Sequence, residues 1–324
     1  MKARIVGTGS YAPAKVLTNA DLERMVATSD EWIRERTGIR ERRIAGAGEA
    51  CSDLAVQAGR RALAAAGVAA TEVDMILLAT CTGDYPLPAT ACVVQHQLGA
   101  TKAAACDLSA ACCGFVYALS VADAYVRSGM RHVLVIGSEV MSAITDWTDR
   151  NTCVLFGDGA GAAVLSASDG ERGILSTELR SDGAFCELIA VPGGGSRTPP
   201  SEKVVAERMQ YIKMKGHETF KVAVRTLEEI ARATLEANHL RVEDVDLYVP
   251  HQANARILSA VIDRLGLPAE KVMLNLDRYG NTSAASIPIA LDEAVRVGRI
   301  KEGSLVMLGA FGAGLTWASA LIRW

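Results

Sequence analysis

Apolar positions fall along this chain in two kinds of run. Residues 73–80, 132–137 and 245–249 are short, nearly continuous apolar stretches, the pattern of strands covered on both faces. Helical stretches lie between them: an Ala-rich pattern over 55–67, another over about 89–98 after a loop at 84–88, and one that opens near Cys112 and closes at Ser128-Gly129. Strands alternating with helices predict a parallel α/β sheet. The helix after Ser109-Ala110-Ala111 stands apart, because Phe115 to Ala122 is apolar on every face and only Asp123 interrupts the pattern. A helix of that kind is buried inside a larger body. The uncharged stretch 304–322 is long enough to cross a bilayer, but Gly309, Gly312 and Gly314 break it into strand, loop and strand.

The second half of the chain repeats the first. Residues 66–74 answer to 238–246 without a gap, and an apolar strand follows each; Leu98-Gly99 answers to Leu265-Gly266. Gly129 lies as far beyond Cys112 as Gly298 lies beyond Asn281, and a strand follows each glycine. Two α/β halves, 1–172 and 173–324, related by an approximate dyad, would bring Cys112 and Asn281 to opposite sides of one central site.

At 324 residues, with 29 glycines and 9 prolines, the chain is large enough for two domains or one duplicated unit and compositionally set to fold. The 34 basic and 37 acidic residues nearly balance, which argues against a nucleic-acid partner. Eight scattered cysteines without Cys-x-x-Cys spacing, and five histidines far apart, read as reduced thiols with no metal site. Met1 to Gly7 runs straight into a strand pattern with no signal peptide, so a cytoplasmic protein is expected.

Candidate chemistry lies where the pattern ends elements. Cys112 opens the buried helix, where unpaired N–H groups favour a thiolate; cysteines so placed titrate at about 3.5 to 7.5. Cys112 and Cys113 read equally as small core hydrophobes. His251 follows the strand 245–249, at the strand end where open α/β sheets place ligands, and Asn281 sits in a turn before another buried helix. The small-residue loop 310–314 offers backbone N–H groups for an oxyanion. Ser29-Asp30-Glu31 caps a helix carrying Trp32, Arg34 and Arg36, which is either a seat for a nucleotide base and its phosphates or a solvated basic helix with one packing Trp. Two dinucleotide-like matches fail: Pro13 follows Gly7-Thr8-Gly9, and Gly157 to Ala162 continues into strand-like sequence and reads as a strand turn. Taken together, a nucleophile, a neutral His-Asn donor pair and backbone donors suit carbon–carbon bond formation through a thioester.

Ala111-Cys112-Cys113-Gly114-Phe115, Pro250-His251-Gln252-Ala253-Asn254, Gly280-Asn281-Thr282-Ser283-Ala284-Ala285-Ser286 and Trp317-Ala318-Ser319-Ala320-Leu321 resemble β-ketoacyl-[acyl carrier protein] synthase III, over essentially the whole chain. The resemblance implies a thiolase-like α/β fold of two duplicated halves in five αβαβα layers. It implies the initiating condensation of type II fatty acid synthesis, between acyl-CoA and malonyl-acyl carrier protein, without a cofactor. By the same resemblance Cys112, His251 and Asn281 are catalytic, and the N–H groups of Cys112 and Ala313 hold the oxyanion. Trp32, Arg36, Arg150, Asn254 and Arg256 meet CoA, and Lys221 with Arg256 docks the carrier protein. Leu87 closes the acyl pocket across a homodimer interface, where many members have Phe. The alternatives are a synthase III-like acyltransferase or diketide-forming enzyme of secondary metabolism, a Cys-His-Asn hydrolase, and a non-catalytic carrier-protein partner.

Overall fold

The structure, a computed structural model, describes residues 2–168 and 170–324; Met1, at the start of the expected first strand, and Asp169 lie outside the described residues. Two sheets form the frame. The first has five strands in the order Lys2–Tyr11, Asp158–Ser168, His132–Val140, Met75–Ala79 and Ala104–Leu108. Its last three strands are mutually parallel, and the two other pairings are antiparallel. The second has four strands in the order Leu247–Pro250, Leu305–Gly312, Thr316–Arg323 and Gly173–Ser181, parallel in the first pairing and antiparallel in the rest. Read from Gly173–Ser181 inward, the second sheet repeats the first strand for strand. Where the first has Ala104–Leu108, the second has a single parallel bridge between Tyr248 and Val272.

The helices Gly114–Arg127 and Ser286–Arg296 lie between the sheets. One apolar cluster joins Phe115 and Leu119, Ile287 and Leu291, Leu77 and Val135 of the first sheet, and Leu308 and Ala320 of the second. Each of the Phe, Leu, Ile and Val side chains contributes about 1.5–3 kcal/mol by leaving water. The outer face of the first sheet packs Ile76 and Leu134 against Leu54, Ala62 and Val94 from the helices Cys51–Ala66 and Thr90–Leu98. The outer face of the second packs Tyr248 and Met307 against Leu227 and Val261 from the helices Gly216–Ala237 and Ala255–Leu265. The layers are therefore αβαβα, the architecture of the thiolase-like fold. Neighbours such as Ile76 and Leu77 point to opposite faces and both are covered, which is why the strands read as unbroken apolar runs.

Both rejected dinucleotide matches have a packing cause. A Cβ on Gly9 would sit 2.4 Å from the Ala62 nitrogen and 2.5 Å from the Ala58 oxygen, so glycine lets the helix Cys51–Ala66 approach the first strand. Gly159 and Gly161 lie within the strand Asp158–Ser168 and not in a turn, and Gly161 touches Pro288 of the buried helix in the same way.

The duplication needs one correction in register. Each central helix follows a 3-10 turn, Ala111–Cys113 or Ser283–Ala285, whose first residue is left-handed, with φ 46° at Ala111 and 48° at Ser283. That shared turn makes Ser283 the equivalent of Ala111, and Ala284, not Asn281, the equivalent of Cys112. Equal spacing to Gly129 and Gly298 is misleading because Ser286–Arg296 has 11 residues and Gly114–Arg127 has 14.

Candidate active site

A cleft of about 1410 Å³ runs from a rim that includes Trp32, Arg36, Lys221, Asn254 and Arg256 down to Cys112, His251 and Asn281. The three inner residues come from both halves of the chain. Cys112 lies in the 3-10 turn, two residues before the helix Gly114–Arg127. Its side chain is reached from the cleft, while protein surrounds it on every other side. Burial pushes its thiol up to about 12, opposed by the Ser283 hydroxyl and reinforced by the Glu139 carboxylate. Burial therefore works against the thiolate expected from the helix terminus. Cys113 is fully buried and donates to the Thr316 carbonyl at 3.3 Å, the behaviour of a packing residue. All eight cysteines are free.

His251 follows the strand Leu247–Pro250, and its N–H is fixed by the Gly309 carbonyl at 2.7 Å. Behind it Gln252 is fully buried, donating to the carbonyls of Pro250 and Met273 and accepting from the N–H groups of Asn275 and Leu276. These bonds lock the loop that aims the imidazole. His251 is 3% exposed, and burial lowers its pKa to about 3, so the ring is neutral at physiological pH. Its Nδ1 lies 2.6 Å from Ser286 Oγ, which also accepts from the Gln252 N–H at 3.3 Å. Ser286 Oγ can give its one proton to Nδ1, and in that tautomer the ring proton sits on Nε2, which is then a donor.

Asn281 is held on both sides, its N–H by the Leu155 carbonyl at 2.8 Å and its C=O by the Gly157 N–H at 3.0 Å. Its Oδ1 accepts from the Ser283 N–H at 2.9 Å, which leaves the side-chain NH2 as the free donor. Opposite, a Cβ on Gly312 would lie 2.8 Å from the Cys112 nitrogen, so only a glycine lets this strand end approach the Cys112 N–H. The small-residue loop is shorter than expected: Ala310, Phe311 and Gly312 belong to the strand Leu305–Gly312, and the turn is 313–315. Ala313 lines the cleft from that turn.

Residues 106–183 match the family model for 3-oxoacyl-[acyl-carrier-protein (ACP)] synthase III, and residues 235–324 match the model for its C-terminal part. A β-ketoacyl-[acyl-carrier-protein] synthase III of Roseiflexus castenholzii is 56% identical over 99% of this chain and 98% of its own. The chain belongs to the 3-oxoacyl-[acyl-carrier-protein] synthase III family. Among solved structures, the synthase III of Aquifex aeolicus superposes with a TM-score of 0.92 at 49% identity, covering 99% of this chain and 100% of its own. That of Thermus thermophilus gives 0.93 at 47% identity, covering 99% of each chain.

The structure gathers most of the residues that the family resemblance singled out. Arg150 does not line the cleft, but its guanidinium lies 4.7 Å from the Trp32 ring centroid and donates to the Ala27 carbonyl at 2.8 Å; Arg36 lies 5.8 Å from the same ring. Asn254 caps the helix Ala255–Leu265 through the Arg256 N–H and donates to the Arg36 carbonyl at 3.0 Å, tying the two sides of the rim together. Leu87 is not brought to the cleft of its own chain: it is 86% exposed, on the loop between Met75–Ala79 and Thr90–Leu98. Sequence reasoning quoted Ser283 and Ser286 only as motif letters and missed Glu139 altogether. A lone Glu ending an apolar strand was the available signal.

Proposed function

We propose that this protein performs the initiating condensation for which its family is named, with Cys112, His251 and Asn281 as the reacting constellation. The observation that carries this reading is the single cleft joining a basic, indole-bearing rim to a thiol, a neutral imidazole and a primary amide. The rim suits a nucleotide-bearing thioester: Arg150 covers the Trp32 face at 4.7 Å and would have to swing off it for the adenine to enter between them, Arg36 and Arg256 meet phosphate, and Asn254 lines the pantetheine path. Cys112 takes the acyl group from acyl-CoA, and the N–H groups of Cys112 and Ala313 receive the tetrahedral oxyanion. Malonyl-acyl carrier protein then enters past Lys221 and Arg256, which suit an acidic carrier. His251 Nε2–H and the Asn281 amide donate to its thioester carbonyl, stabilising the enolate that forms as carbon dioxide leaves, and that carbanion attacks the acyl-Cys112. A neutral imidazole is suited to this donation, and the sequence consumes two thioesters with no bound metal or cofactor.

The same proposal includes a second copy of the chain. Tyr85 and Leu87 are exposed by 61% and 86% on one loop, and contact with a second copy would cover them and let Leu87 set the primer size. Among the described residues, no helix is long and apolar enough to cross a membrane.

The test is intact mass after incubation with a panel of acyl-CoAs, wild type beside Cys112→Ala, followed by malonyl-acyl carrier protein. Acyl mass that requires Cys112 and discharges as a ketoacyl-carrier product is the expected result. Loading without discharge would refute the condensation, and no loading from any acyl-CoA would refute the mechanism.

A further inference from the structure

The Asn281 amide can donate into the cleft only with its NH2, and not its oxygen, turned that way. The two arrangements differ by a half-turn about one side-chain bond. The backbone bonds of Asn281 to Leu155 and Gly157 do not set that rotation. Among the described residues one contact does: the Ser283 N–H, 2.9 Å from Asn281 Oδ1. The position of the Ser283 backbone therefore decides which end of the amide faces outward.

That backbone has to be held. Ser283 has φ 48°, a left-handed conformation that a residue other than glycine keeps only where its surroundings impose it. Its neighbour Thr282 adds no side-chain anchor, since the Thr282 hydroxyl is buried without a hydrogen-bond partner. Ser283 is tied down by its own hydroxyl, which donates to the Glu139 carboxylate at 3.0 Å and lies 4.0 Å from Cys81 Sγ.

Glu139, near the end of the strand His132–Val140, is wholly buried and itself fixed from several sides. Its carboxylate accepts from Thr80 Oγ1 at 3.2 Å, the Cys81 N–H at 3.1 Å, Cys81 Sγ at 3.3 Å and Thr82 Oγ1. The Thr80 hydroxyl accepts from the Thr82 N–H at 3.1 Å and the Thr82 hydroxyl from the Val140 N–H at 2.8 Å, so each has its proton free for the carboxylate. All of these donors are neutral, and of the residues bonded to Glu139 only Ser283 comes from the second half of the chain.

We propose that Glu139 and Ser283 are positioning residues for Asn281: the carboxylate, fixed on the first half, holds the Ser283 hydroxyl, and the Ser283 N–H holds the amide with its NH2 toward the reacting carbonyl. This role rests on the condensation reading above. It acts on the step in which Asn281 takes part, the discharge of the acyl group onto malonyl-acyl carrier protein.

The test begins with full-length protein already loaded with acetyl-CoA and freed of the excess. Starting from the acyl-enzyme takes out of the measurement the Cys112 thiol, which Ser283 also affects. Single-turnover discharge by malonyl-acyl carrier protein is read by intact mass in wild type, Ser283→Ala, Asn281→Ala and the double variant. Alanine suits the Ser283 backbone, since Ala111 has φ 46° in the equivalent turn, and the substitution removes the bond to Glu139 while leaving the N–H in place. Ser283→Ala should discharge about tenfold more slowly, the worth of one hydrogen bond, and Asn281→Ala about 10²-fold more slowly. In the Asn281→Ala background the Ser283 substitution should cost less than about twofold, because the group it positions has gone. Discharge by Ser283→Ala at the wild-type rate overturns the proposal. A tenfold loss that persists in the Asn281→Ala background also overturns it, because Ser283 would then act on something other than the amide. If loaded wild type does not discharge at all, the condensation reading falls and the positioning role with it.

Discussion

Lowering the pH from 7 to 5 measures what it costs this fold to keep His251 neutral. Burial holds the folded pKa near 3, against 6.5 for an ordinary histidine. The unfolded chain therefore binds the proton first. The stability contribution is fully present above about pH 6.5 and is lost as the pH falls through the window down to about 3. At pH 5 the unfolded histidine is more than nine-tenths protonated and the folded one almost wholly neutral, a difference of about 2 kcal/mol between pH 7 and 5 from the linkage relation. For a chain of this length that corresponds to about 3 °C in Tm. Other groups titrate in the same range, so the assay is the difference between wild type and His251→Gln in thermal or urea unfolding at the two pH values. Wild type should lose about 2 kcal/mol more than the variant. Equal losses would refute the reasoning, because they would mean that the ring protonates inside the cleft near its ordinary pKa and is not kept neutral by desolvation.

Three further outcomes follow from named contacts. Ser286→Ala removes the partner of His251 Nδ1; condensation should fall about tenfold, the worth of one hydrogen bond, with acyl loading of Cys112 unchanged, as separate loading and discharge assays would read. Gly312→Ala places a Cβ 2.8 Å from the Cys112 nitrogen, one of the two N–H groups proposed for the oxyanion, so loading should drop by about 10²-fold or more while iodoacetamide still reaches the thiol. Gly9→Ala drives a methyl into the backbone of the helix Cys51–Ala66, far from the chemistry, and should cost about 3 kcal/mol, or about 4 °C in Tm, with kcat unchanged in the protein that remains folded.

Local pattern was enough for the elements that carry the site. Unbroken apolar runs marked strands covered on both faces, the all-apolar stretch after Cys112 marked a central helix, and Ser29 caps its helix as its residue type predicts. The duplication was also legible, since 66–74 and 238–246 precede equivalent strands in the two sheets. Its register was not. Cys112 and Asn281 were paired by their distance to the next glycine, and that distance includes a helix length, which packing between the sheets sets separately in each half.

The amino-acid order by itself determined the alternation of strands and helices, the buried character of the two helices that carry the site and the residue types at their starts, because periodicity and turn chemistry act over a few residues at a time; the five layers were legible only through the family resemblance. Only the tertiary structure decided the chemical state of those residues. Whether Cys112 rests as thiol or thiolate depends on how much water the second half of the chain excludes, and whether His251 donates depends on Ser286, 35 positions away in sequence. Glu139 shows the same dependence most sharply, since it meets Ser283 across 144 positions. Desolvation and hydrogen bonding are properties of what surrounds an atom, and here those surroundings come from distant positions in the chain, in the same half for His251 and in the other half for Glu139.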